Sequence, residues 1–163
     1  FLFKIPCLMH PILKQIQKAV YDQKGMVITD FENEAESQEY EASRFKLNGQ
    51  QVICRTAKKT PKKMGQFVYF WKRGEDGIIQ PFEQEDPIEF YIVNLREAAK
   101  IGQFVFPKSV LIKEGIISSP TREGKRAFRV YPSWELPTSK QAQRSQKWQL
   151  EYFNCFNCAT PPQ

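Results

Sequence analysis

The sequence predicts a single α+β domain, and three observations predict it. An Asn48-Gly49 turn stands between two alternating segments, aromatic-rich apolar runs recur at strand length, and the longer helical patterns lie near the two ends of the chain. The expected architecture is a largely antiparallel or mixed central sheet, flanked by an N-terminal and a C-terminal helix. No linker or internal repeat divides the 163 residues, so one domain spans 1–163, with a core over 10–153 and a tail over 154–163.

The elements follow in order. Ile12, Ile16, Ala19 and Val20 repeat at helical spacing after Pro11, and Gly25 stops the helix. Met26–Thr29 reads as a short strand and the acidic stretch 32–38 as a loop. Tyr40–Leu47 alternates and returns through Asn48-Gly49 into Gln51–Ala57, with facing positions summing to about 97. A basic segment, Lys58 to Gly65, then leads to an aromatic strand, Gln66–Trp71. Val68 and Phe70 share one face of it; Phe67, Tyr69 and Trp71 share the other. Further strands are expected at 88–93, 102–106 and 126–131, with a short helix after Pro107 ended by Gly115. Thr138 or Ser139 caps the last helix, which runs to about Phe153.

Composition narrows the function classes. The 13% aromatic and 41% hydrophobic content supports a packed core and excludes a disordered chain. No apolar run reaches the ~18 residues of a membrane span, and the apolar start is broken by Lys4 and Pro6. The expected location is therefore cytoplasmic, with no membrane partner. Cys155-Phe156-Asn157-Cys158 is a lone CxxC; only Cys7, Cys54 and His10 remain to complete a zinc set, and no metal site is assigned.

Charge is segregated. The net charge is +6, yet residues 42–73 hold nine bases and no acid, while 30–41 hold six acids and no base. Such a basic block on strands and their loops is the footprint of a protein that meets phosphate. Lys58, Lys59, Lys62 and Lys63 crowd around Thr60-Pro61, with Gly65 free to bring backbone close to a ligand. They are expected to form a mobile loop at one rim of the sheet. Arg44, Lys46 and Arg55 on the hairpin, and Lys125, Arg126 and Arg129 further on, extend the candidate nucleic-acid surface.

No catalytic residue is assigned. His10, the single histidine, precedes a proline near the chain start and makes a poor base. The enzymatic alternative is a metal-dependent nuclease, the one reading that would call for a cofactor, Mg²⁺. Glu39 and Glu41 would share a strand face as metal ligands with Lys58 across the hairpin, and Asp86 and Glu89 open another strand. On the hairpin strands the acid two residues before a lysine that such nucleases need is missing: Thr56 stands two before Lys58 and Arg44 two before Lys46. A pocket between sheet and helices for a small molecule or protein is the third class.

Several stretches carry a resemblance. They are Glu39 to Gly49, Arg55 to Val68, Gly102 to Lys108, Gly124 to Pro132, and Lys140 to Ala142 with Gln146 to Gln149. Together they resemble the MepB-like family in family order over roughly residues 10 to 153. The resemblance implies an α+β fold with a nuclease-like core and nucleic-acid binding, and it carries no assigned activity.

Overall fold

The computed structural model describes residues 8–156 and 158. Helix α1 (Pro11–Ile16) starts on Pro11, whose fixed φ suits the first turn. It continues as a π-turn (Gln17–Tyr21) and a 3₁₀ turn (Asp22–Lys24), and ends where Gly25 takes φ 68°. Ile12, Leu13 and Ile16 bury one face of α1 against the sheet.

The main sheet has six strands in the order β1-β2-β3-β8-β9-β11. They are β1 (Ile28–Asn33), β2 (Ser43–Leu47), β3 (Gln50–Thr56), β8 (Phe90–Glu97), β9 (Lys100–Pro107) and β11 (Phe153–Phe156). Only β3 and β8 run parallel; every other pairing in it is antiparallel, so the sheet is mixed. Between β3 and β8 the chain leaves the sheet to make β4 (Lys58–Lys59), β5 (Gln66–Tyr69), β6 (Trp71–Arg73) and β7 (Ile79–Pro81). Strand β5 sits between β4 and β10 (Ala127–Val130) in a three-stranded sheet, and β6 pairs with β7. Helix α2 (Lys108–Lys113) follows β9 and ends at Gly115, φ 72°. Ser139 caps α3 (Lys140–Gln149), accepting from Ala142 N–H at 3.1 Å.

Period-two alternation divides the core. Val52, Cys54 and Ile92 face α1, whereas Ile53, Tyr91, Val93 and Leu95 face the other side. That second core takes in Val68, Phe70, Phe104, Phe106 and Phe128, and the Trp148 ring of α3 packs 5.4 Å from Phe106. No helix among the described residues is long and apolar enough to cross a membrane.

The structure corrects four expectations. The first strand lies later than 26–29 and runs on to Asn33 within the expected loop. Strand β2 begins at Ser43 rather than Tyr40, because Ser37 (φ 56°) and Glu41 (φ 48°) are left-handed and bracket a 3₁₀ turn, Gln38–Tyr40, that buries Tyr40. Lys58 and Lys59 form a strand instead of loop. Residues 154–156, expected in the tail, pair with β9, and Phe153 packs 4.7 Å from Phe104. Cys155 is bonded to Cys158, and Cys54 lies buried in β3.

Candidate nucleic-acid interface

The three-stranded sheet presents a cationic and aromatic outer face. Its inner face is fixed by Val68, Phe128 and Val130, all buried. The pleat therefore turns Phe67 and Tyr69 outward. Lys58 of β4 and Arg129 of β10 both register with Phe67 of β5, which sets a cation, a ring and a cation side by side across three strands. Along the strand, the Tyr69 ring lies 5.6 Å from Phe67 and 6.4 Å from Trp71. Arg129 stands 5.7 Å over Phe67, Arg73 5.8 Å over Trp71, and Lys58 5.3 Å over Tyr40. Burial, then the neighbouring Tyr69 and Glu39, holds the Tyr40 hydroxyl above its usual pKa, so it stays a neutral donor.

The two ends of the segment 60–65 are tied down by hydrogen bonds. The Arg129 guanidinium donates to Thr60 Oγ1 at 2.7 Å, Met64 O at 3.2 Å and Gly65 O at 3.4 Å. Gly65 N–H donates to the Glu135 carboxylate. At φ 78°, a Cβ on Gly65 would meet the Tyr131 ring at 2.7 Å, so this glycine makes room for Tyr131 and not for a ligand. Lys59 pairs with Glu97; the contact raises the lysine's pKa and lowers that of the carboxyl.

Beyond the loop lies a groove of about 670 Å³ between the loop, β10 and the start of α3. Lys62, Lys63, Lys125, Arg129 and Arg144 line it against one acid, Glu114. Thr138, Ser139 and Gln141 at the positive end of α3 line the same groove. Lys58, Lys62, Lys63 and Lys125 have no carboxylate within ion-pair distance among the described residues.

The remaining sequence-derived residues lie elsewhere. Arg55 is 2% exposed and lies 2.7 Å from Glu34, which also holds Arg44 at 2.9 Å. Arg55 is thus removed from the surface, and Arg44 is held by the same carboxylate. Lys46 pairs with Asp30 at 3.5 Å, and Arg126 turns to Glu123 at 3.1 Å. The structure does not place Glu39 and Glu41 on one strand face, because both precede β2 around the left-handed Glu41. Glu41 pairs with His10 at 2.9 Å, and Lys58 registers with Phe67 rather than with Glu39. Glu41, Thr56 and Lys58 do line one cleft of about 330 Å³. Asp86 pairs with Lys72 at 2.5 Å, and Glu89 accepts from Gln51 N–H at 2.6 Å. Among the described residues no group of three His, Cys, Asp or Glu side chains is placed to hold a metal.

Sequence reasoning missed Arg144 and the α3 start as groove walls. The signal was there: Lys140, Arg144 and Lys147 recur at helical spacing. It also left open what Trp71 and Arg73 form, which is the far end of the outer aromatic row.

The chain is similar to a solved structure described as the crystal structure of MepB, at 32% identity and TM-score 0.79, covering 93% of this chain and 100% of that one. A bacterial homing endonuclease, I-Ssp6803I, matches at 13% identity and TM-score 0.46 over 88% of this chain and 90% of its own. No curated protein matches. The MepB-like family model matches residues 34–155, three quarters of the sequence and nearly all of its strands. The chain belongs to the MepB-like family.

Proposed function

We propose that the protein binds nucleic acid through phosphate contacts along a basic surface running from the outer face of the three-stranded sheet into the groove beside α3. The groove carries this reading: five bases oppose one acid. Four of the six acids of residues 30–41 are paired elsewhere: Asp30 with Lys46, Glu34 with Arg44 and Arg55, Glu36 with Arg73, and Glu41 with His10. Lys58, Lys62, Lys63, Lys125 and Arg144 are the phosphate contacts, and Arg129 holds the loop that presents two of them. Lys59, paired with Glu97, adds little. Binding measured across salt concentrations tests the reading. Five neutralised phosphates give a slope of log K against log salt of about −4.5 on a duplex and about −3.5 on a single strand. No retention on DNA or RNA, or binding that ignores salt, would overturn it in favour of a small-molecule or protein ligand.

Metal-dependent cleavage is the second reading, favoured by the cleft that joins Glu41, Thr56 and Lys58. Glu41 is the single carboxylate lining that cleft, and it is paired with His10. A Mg²⁺ site built on two or more carboxylates is not formed there. Cleavage in Mg²⁺ or Mn²⁺ that disappears in Glu41→Gln would support this reading. No cleavage in either metal leaves binding alone.

A further inference from the structure

We infer that the outer face of β5 and β6 docks an unpaired nucleobase on the ring of Tyr69, so that the preferred partner is a single-stranded segment of nucleic acid. The inference rests on the nucleic-acid reading above and adds to it which form of the polymer is bound.

Tyr69 is 37% exposed, although its strand supplies the core through Val68 and Phe70 on the other face. Phe67 packs in part against that core, whereas Tyr69 and Trp71 are not among the residues packed on it. The Tyr40 ring supports Tyr69 from below at 4.7 Å, and Phe67 and Trp71 flank it. The Tyr69 ring is therefore held among three others before any ligand arrives, which limits the entropy lost on binding. Cations occupy the neighbouring rings: Arg129 stands over Phe67 and Arg73 over Trp71, whereas among the described residues no cation stands over Tyr69. Tyr69 is left with a π-surface for a base.

Charge gives the bound strand a direction. Arg73 is neutralised by Glu36 at 2.5 Å, so the positive end of the row is the Lys58–Arg129 end. From there the basic groove continues. A backbone that leaves a base on Tyr69 finds its next phosphates at Lys58 and then at Lys62 and Lys63. Duplex nucleic acid offers phosphates to the groove but keeps its base faces stacked, so it cannot use the ring. An apolar protein partner would not call for the cationic Lys58–Arg129 end of the row.

Fluorescence anisotropy with a labelled single-stranded 12-mer and a 12-base-pair duplex tests this. Wild type should bind the single strand more tightly than the duplex. Tyr69→Leu, which keeps apolar cover over Tyr40, should weaken single-strand binding about tenfold and leave the duplex within about twofold. Tyr69→Phe should retain the wild-type preference, and the salt slope should stay the same in all three proteins because no phosphate contact changes. Equal losses on both polymers, or none, would overturn the inference while leaving the groove reading intact. Binding of neither polymer by wild type would overturn both. Should Tyr69→Leu fail to fold, photocrosslinking of wild type to a 5-bromouracil-substituted single strand decides: adducts on the peptide holding Tyr69 support the site, and adducts confined to other peptides overturn it.

Discussion

The Glu34 carboxylate lies 2.7 Å from the Arg55 guanidinium, which is buried between β3 and the ring of Phe82. Burial pulls the arginine pKa down and Glu34 raises it again, so the charge inside is balanced by this carboxylate. Arg55 Nε has no hydrogen-bond partner among the described residues. Removing Glu34 strands a charge in the interior, and Glu34→Ala should lower the unfolding free energy by about 3–5 kcal/mol. The double variant Glu34→Ala/Arg55→Met should recover part of that loss. Urea unfolding of the three proteins checks the order; a double variant less stable than Glu34→Ala would contradict it.

Lys62 and Lys63 face the groove without carboxylate partners. Lys62→Ala/Lys63→Ala should weaken binding to every sequence alike and reduce the magnitude of the salt slope by about 2. Arg44→Ala, whose guanidinium Glu34 already holds, should leave that slope unchanged. Titrations at several salt concentrations separate the two.

Gly65 is under two constraints, a left-handed φ and the Tyr131 ring. Gly65→Ala should destabilise the protein by about 1–3 kcal/mol. Because only the steric part depends on Tyr131, Gly65→Ala/Tyr131→Ala should show less than the sum of the two single losses in a thermal or urea melt.

Burial pushes the Cys54 thiol up to about 12, outweighing Arg55 and the hydrogen bonds from Ser43 and Asn94 that act against it. The folded protein then keeps a proton that the unfolded chain gives up near the ordinary value of 9.0. The stability this contributes is complete below pH 9 and is lost as pH rises from 9 toward 12. Alkaline unfolding should be less steep in Cys54→Ala. Wild-type Cys54 should resist iodoacetamide until denaturant is added.

Much of this was legible in the chain. Asn48-Gly49 announced its hairpin, and the positions that face one another do sum to 97, as Arg44 with Ile53 and Phe45 with Val52 show. That Phe67, Tyr69 and Trp71 share one face followed from the two-residue period, though not which face turns outward. What escaped was set by tertiary geometry. Positive φ at Ser37 and Glu41 has no sequence signature, so the strand seemed to start three residues early and took Glu39 and Glu41 with it. Two lysines do not read as a strand, yet β5 offered Lys58 and Lys59 an edge. Arg55 was misplaced although its parity was visible: it lies two residues after Ile53, on the same inward face. A charge on that face needed its own counter-ion, and Glu34 supplies it from the acidic block.

The outer face is completed by contacts that are far apart along the chain. Arg129 reaches Thr60 across 69 residues, and β5 meets β10 only after the whole of β8 and β9 has been laid down. Local hairpins such as β2–β3 close early, while pairings at this separation wait on the slow search that high contact order imposes. A chain still emerging from the ribosome therefore carries its lysines without the surface that arranges them. The side-by-side placing of Lys58, Phe67 and Arg129 waits on the pairing of β5 with β10, and it is lost when β10 detaches.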